Sequence, residues 1–279
     1  MNKMDDKIAH GATSMPLAYA ERSMGAVNWL GLWTLYKKEV QRFLKVLLQT
    51  VLAPAVTAIL FFAIFTVAFG GSSRTVGDIP FSQFLVPGLI MMAIVQNSFA
   101  NTSSSLLIAK VQGTIVDVLM PPLSAGELTV AIALGGLTRG LLVACSVALP
   151  LLPFVDITVH HPLVAIYFAV SASLLLSLMG MLGGIWADKF DHMAAITNFV
   201  IMPLSFLSGT FYSITKLPAI WQTICQFNPF FYMIDGFRYA FINHSDGSIA
   251  KGMLVMFVLN ASLWLICHRV FKKGYRLKP

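Results

Sequence analysis

A single arginine, Arg139, stands in the middle of an otherwise apolar run, where a charge costs about 2.5–3.5 kcal/mol unless it finds a partner or a watery cavity. No acidic residue lies one helical turn away on its own segment. Two roles follow: a donor to neighbouring carbonyls and amides, or a cationic contact for an anionic or sugar-bearing solute. A second apolar run carries Gln96, Asn97, Asn101, Ser104 and Ser105, and a third offers Asn198, Ser205, Ser208 and Thr210. Amides and hydroxyls in such runs either bind helices together or line a path for a polar group. Asp235 and Arg238, at i, i+3 spacing, are expected to neutralise each other.

Other chemistry lacks its residues. No G-x-x-x-x-G-K-[ST] phosphate loop occurs, so ATP hydrolysis by that route is not expected on this chain. His160, His161, His192, His244 and His268 are scattered without carboxylates or cysteines at ligand spacing, so neither a metal nor a cofactor is expected. Cys145, Cys225 and Cys267 form no disulfide framework. The apolar runs hold almost no Asp or Glu, which weighs against an ion-coupled secondary carrier; that class is the alternative reading.

Six apolar stretches must position these residues: Val46–Phe69, Phe84–Ile108, Leu128–Leu152, Leu163–Trp186, Ala194–Ile214 and Gly252–Phe271. Each matches the roughly 20 residues that cross a bilayer as a helix. With 57% hydrophobic and 11% charged residues, the chain reads as an all-α polytopic membrane protein. If the N-terminus is cytoplasmic, fourteen Lys and Arg fall inside and four outside, with Arg139 within a span. That bias predicts N-in, C-in topology and explains the net charge of +7 without nucleic acid. Residues 1–27 and 276–279 read as tails around one membrane domain, 28–275. No cleavable signal peptide is visible, and the first span is expected to serve as its own insertion signal.

Three further segments have content. Residues 28–47 place Trp29, Leu32, Trp33, Tyr36, Val40 and Phe43 on one face and Lys37, Lys38, Gln41, Arg42 and Lys45 on the other, predicting an amphipathic interface helix. Residues 109–127 offer a turn at Gln112-Gly113, a cap at Thr114, a short helix around Asp117 and a stop at Pro121-Pro122. Residues 215–251 are too apolar for a solvated loop. Asn228-Pro229 divides them into two pieces too short to span, which predicts re-entrant or interfacial helices on the outside. Gly136-x-x-x-Gly140 and Gly180-x-x-x-Gly184 are small-xxx-small packing patterns.

In order along the chain, FLVPGLIMM at 84–92, QGTIVDVLMPPLS at 112–124, PLSFLSGTFY at 203–212, Leu217-Pro218, Asn228-Pro229 and Asp235…Arg238 resemble the membrane subunit of ABC-2-type exporters. The resemblance covers residues 28–275. It implies a homodimer in a bacterial inner membrane, among lipids, bound to a separate ABC ATP-binding subunit that carries the ATP and Mg. That subunit would contact Lys37, Lys38 and Arg42 of the interface helix and Gln112, Gly113, Thr114, Asp117 and Pro121 of the 109–124 segment. The permease would itself be no enzyme. Its path, with Gln96, Asn97, Asn101, Ser104, Arg139, Asn198, Ser205 and Ser208 as candidates, would export an amphipathic, lipid-linked, polysaccharide or drug-like substrate.

Overall fold

The computed structural model describes residues 27–68, 75–76, 79–156 and 158–276. Most of the expected tails, residues 1–26 and 277–279, lies outside the described residues, as does Phe69. Of the described residues, 82% are helical. Among the described residues the sheet is one antiparallel pair, β1 (Thr75–Val76) and β2 (Ile79–Pro80). The helices are α1 (Trp29–Leu44), α2 (Ala53–Ala68), α3 (Phe81–Val111), α4 (Ile115–Leu119), α5 (Ala125–Leu151), α6 (Pro162–Trp186), α7 (Phe190–Ile196), α8 (Met202–Leu207), α9 (Ala219–Phe227), α10 (Pro229–Ile242) and α11 (Ile249–Lys273). Six are long and apolar enough to cross a membrane: Leu48–Ala68, Phe81–Val111, Ala125–Phe154, Pro162–Trp186, Phe190–Leu207 and Ile249–Lys273.

The span ends follow capping chemistry that hydropathy does not register. Span three starts at a capping box: Ser124 Oγ accepts from Glu127 N, and Glu127 Oε2 accepts from Ser124 N. Span four starts with Pro162 at its first position, where a missing N–H is harmless. The expected fifth span, Ala194–Ile214, is corrected to Phe190–Leu207. Gly209 takes a left-handed φ of 79° and turns the chain out of the helix. Thr210 Oγ1 and Tyr212 Oη then donate to the carbonyls of Ser205 and Leu207, so the last turn is satisfied without further helix.

Span two is the axis of the bundle, buried along most of its length between spans three and four. The two glycine pairs explain how. Gly140 faces Ser98 and Ser173, Gly136 faces Ser177 and Thr102, Gly180 faces Thr102 and the Phe99 carbonyl, and Gly184 faces the Ser103 carbonyl. Without side chains at these four places the backbones close on each other. Ser98 Oγ and Ser173 Oγ then share a hydrogen bond at 2.7 Å, and Thr102 Oγ1 donates to Ser177 O at 2.7 Å.

One end of the bundle gathers α1, the 112–124 segment and the turn at Ala187–Lys189. Lys110 Nζ donates to the Ile185 and Ala187 carbonyls there and pairs with Asp188 at 3.2 Å, holding that carboxyl below its ordinary range. The opposite end is closed by α9 and α10, neither long enough to span. Asn228, between them, accepts from Phe230 N to cap α10 and donates to Leu204 O and Ser208 Oγ. Leu217 and Pro218 lead into α9, whose Ile220, Trp221, Ile224 and Phe227 stay exposed as an apolar face.

The expected Asp235–Arg238 ion pair is corrected in its geometry: the two charges attract each other, but their hydrogen bonds go elsewhere. Arg238, 2% exposed, donates to the carbonyls of Phe84, Gly209 and Thr210 and lies 3.7 Å over the Phe84 ring. Asp235 accepts from the N–H groups of Asp246 and Gly247 at 2.8 and 3.0 Å. Arg238 is spent on backbone of span two and of the turn after span five, and Asp235 on backbone of the loop before span six. Asp246 in turn accepts from Ser213 Oγ and Ile214 N, so the loop after span five is tied to the loop before span six.

Candidate functional site

Spans one, two and five enclose a groove of about 410 Å³. Span one contributes Gln49, Ala53, Pro54, Thr57 and Phe61; span two contributes Leu89, Met92, Ala93, Gln96 and Asn97; span five contributes Thr197. Both flanking spans carry a π-helical turn at this level, Leu48–Leu52 and Thr197–Ile201. A π turn inserts a residue and widens the helix, and such turns occur preferentially at working surfaces. Phe61, at one end of the groove, packs on Phe211, which also stacks on Phe65 at 4.6 Å. The walls are therefore mostly apolar, with a narrow amide stripe from Gln96 and Asn97.

Behind that stripe lies a polar network. Arg139 Nη2 donates to Asn97 Oδ1 at 3.1 Å, and Asn97 Nδ2 donates to Ala93 O, so both ends of the Asn97 amide are held. One turn further, Arg42 Nη2 donates to Asn101 O at 2.7 Å and to Asn101 Oδ1 at 2.9 Å, and Nη1 reaches Ser104 Oγ at 3.3 Å. Arg42 also pairs with Glu39 at 3.2 Å, and Glu39 Oε1 accepts from Ser105 Oγ at 2.7 Å. Glu39 is only 4% exposed. Gly135 leaves room for its side chain, since a Cβ there would sit 2.6 Å from Glu39 Cβ.

Arg42 is thereby corrected from the solvent face of α1 to an inward position. The buried face of α1 is Leu35, Glu39 and Phe43, whereas Trp29 and Trp33 are exposed. Glu39 was missed by sequence reasoning; its signal is the i, i+4 spacing from Leu35 to Glu39 to Phe43, in register with an arginine at i+3. Of the path candidates, Gln96 and Asn97 line the groove, and Asn101, Ser104 and Arg139 stand behind it. Ser205 and Ser208 donate to Ile201 O and Leu204 O within their own helix, with Ser208 also held by Asn228. Asn198 is exposed, one residue beyond the lining Thr197. Those three lie apart from the groove. Gln49 and Thr57 line it without having been singled out, because short polar residues in an apolar span give no periodic signal.

The other set of candidates meets at the end of the bundle that holds α1. Asn28 caps α1 through Gly31 N, donates from Nδ2 to Pro122 O, and its own N–H meets Glu127 Oε1. Tyr36 Oη bonds Thr138 Oγ1 at 2.9 Å. These bonds fix α1 beside the 112–124 segment and leave two pockets between them. One of about 310 Å³ is lined by Lys38, Asp117 and Pro121. The other, about 150 Å³, is lined by Lys38, Arg42, Gln112 and Thr114. Lys38 borders both. Lys37 is exposed nearby, and Gly113, at φ 72°, makes the turn with open space beside it.

Among the described residues no group of three or more His, Cys, Asp or Glu is placed to hold a metal ion. The groove can bind an amphipathic molecule, and the two pockets can seat side chains of another protein.

Residues 31–242 match the profile of the family described as ABC-2 type transporter. The chain is 36% identical over 252 residues to the inner membrane transport permease YadH of Escherichia coli (strain K12), covering 90% of this chain and 98% of that protein. The protein of the same name from Shigella flexneri matches equally. Nodulation protein J of Rhizobium leguminosarum bv. trifolii is 22% identical over 243 residues, covering 84% of this chain and 90% of that protein.

Proposed function

Since the chain belongs to the ABC-2 type transporter family, and so is a multi-pass inner-membrane permease subunit partnered by an ABC ATPase, we propose that it is an exporter whose path runs along the groove between spans one, two and five. Its substrate is amphipathic, lipid-linked, polysaccharide or drug-like. The termini, α1 and the 112–124 segment face the cytoplasm, and α9 and α10 face outward. Two copies assemble with two copies of the ATPase, which binds ATP and Mg and seats side chains in the pockets bordered by Lys38.

The observation that supports this reading best is that span two joins the two places: Arg42, beside the smaller pocket, is hydrogen-bonded to the same helix that forms the groove wall. Arg42 borders the smaller pocket and bonds Asn101 and Ser104 of span two, and span two carries Gln96 and Asn97 on the groove wall. Displacement of α1 by a partner is therefore transmitted to the groove through charge-assisted bonds, which are short and directional. Ion-coupled transport has no corresponding acid along the groove wall.

The test is disulfide trapping. With the exposed Cys145 replaced by Ser, Asp117→Cys is expected to cross-link to a cysteine on the surface of the partner ATPase, giving a species of two permeases and two ATPases by mass. Absence of cross-linking at every position from 112 to 119 would overturn the docking site, and ATP-dependent transport by a single permease copy would overturn the dimer.

A further inference from the structure

Taking the groove as the path, we propose that its ligand carries an anionic, acceptor-rich head, a phosphate or carboxylate, on an apolar body, and that Gln96 with Arg139 behind Asn97 recognises that head.

Three buried nitrogens beside the groove have no hydrogen-bond partner: Gln96 Nε2, Asn101 Nδ2 and Arg139 Nε. The Asn101 amide is oriented by Arg42, which occupies its oxygen, so the free group there is a donor. Arg139 is held by one hydrogen bond, to Asn97, and its Nε is the buried donor left over. Buried donors left in this condition are costly and uncommon, and each is satisfied by an acceptor. The protein supplies none: the nearby carbonyl of Ala93 and oxygens of Asn97 and Asn101 are already taken.

Charge points the same way. The network holds two guanidinium groups, Arg42 and Arg139, against one carboxylate, Glu39, which is engaged by Arg42 and Ser105. Among the described residues no carboxylate lies within ion-pair distance of Arg139. Its charge stands one side chain behind the groove wall in a low-dielectric setting, where an anion gains more than it would in water. The rest of the wall, Phe61, Leu89, Met92 and Pro54, suits an apolar body.

The experiment uses the full chain in phosphatidylcholine nanodiscs, with Cys145→Ser and a reporter Thr57→Cys on the groove wall, labelled by a maleimide. Dodecyl phosphate, dodecyl maltoside and inorganic phosphate are compared as protectants. Dodecyl phosphate is expected to half-protect at a concentration at least about tenfold below that of the maltoside, the factor a single charge-assisted bond supplies. Inorganic phosphate alone, lacking the apolar body, is expected to protect weakly. Replacing phosphatidylcholine with phosphatidylglycerol separates the sources: slowed labelling without added amphiphile identifies a lipid headgroup, and unchanged labelling identifies a free amphiphile.

Arg139→Met and Gln96→Leu should abolish the preference for phosphate over maltoside, whatever the absolute protection each variant retains, and Arg139→Lys should keep it. If Arg139→Met does not accumulate, Gln96→Leu and Arg139→Lys decide alone. Equal protection by the two amphiphiles, a preference that survives Gln96→Leu and Arg139→Met, or no protection by either would overturn the inference. Phosphate-selective protection without stimulation of ATP hydrolysis in the assembled complex would leave the inference standing and overturn the groove as the path.

Discussion

Arg238→Met is expected to destabilise the protein by about 3 kcal/mol. The Phe84 carbonyl keeps its helical partner after the change, but the carbonyls of Gly209 and Thr210 lose their donor in a buried place. The contact over the Phe84 ring at 3.7 Å goes as well, worth about 2 kcal/mol when desolvated. Release from burying a charge offsets part of this, which is why the net figure stays near 3. In detergent the apparent melting temperature should fall by about 10 °C, at roughly 2–4 °C per kcal/mol for a chain of this size. Arg238→Lys should recover part of the loss, because one ammonium reaches one carbonyl but cannot reproduce the fork. A melting temperature unchanged in the Met variant would mean that the loop after Gly209 is held by other contacts, Asp246 foremost.

Gly180→Leu should be nearly as severe, with membrane abundance falling several-fold for a cost of about 3 kcal/mol. A Cβ at Gly180 would sit 2.5 Å from the Phe99 carbonyl oxygen and overlap Thr102 Oγ1, and the first of these is backbone that cannot swing aside. Spans two and four would have to part, breaking the Thr102–Ser177 and Ser98–Ser173 bonds along the same seam. Gly183→Ala is the control: its nearest neighbour, at 3.2 Å, is the flexible end of Met193. A fluorescent fusion read by size-exclusion chromatography distinguishes them, and wild-type levels of Gly180→Leu would sink the argument.

Both substitutions bear on what the sequence makes legible. The six spans are readable because hydrocarbon thickness demands long apolar runs, and the glycine pairs because their spacing repeats one helical face. Span five is misread at its C-terminal end since hydropathy averages over Ser208–Ser213, whereas the helix stops on one left-handed glycine and two side-chain bonds. Asp235 and Arg238 illustrate a second limit. Spacing of i, i+3 makes a pair possible, but Asp235 bonds backbone 11 and 12 residues away and Arg238 bonds backbone from 28 to 154 residues away, a choice that only tertiary packing presents. Arg42 is a third case. An amphipathic projection sorts it with Lys37 and Lys38, yet a buried glutamate three residues earlier and an open place at Gly135 draw it inward. Of the groove, the amides of span two are conspicuous in sequence; the wall from span one is not, as Ala53, Pro54 and Thr57 look like any lipid-facing helix.

The partners of α1 also set an order for biogenesis. Asn28 bonds Pro122 and Glu127, Tyr36 bonds Thr138, and Glu39 and Arg42 bond residues 101 to 105. Every one of these partners is synthesised at least about 60 residues after the helix itself. During translation α1 therefore emerges with a carboxylate and a guanidinium whose one partner already made, among the described residues, is the other of the two. It waits while span two is threaded, takes its first polar contacts from that span, and is locked at its N-terminal end only when the capping box of span three has formed. A ribosome stalled before residue 101 should leave α1 accessible to protease or to aqueous labelling, whereas a stall late enough for residue 138 to have cleared the ribosome should leave it protected.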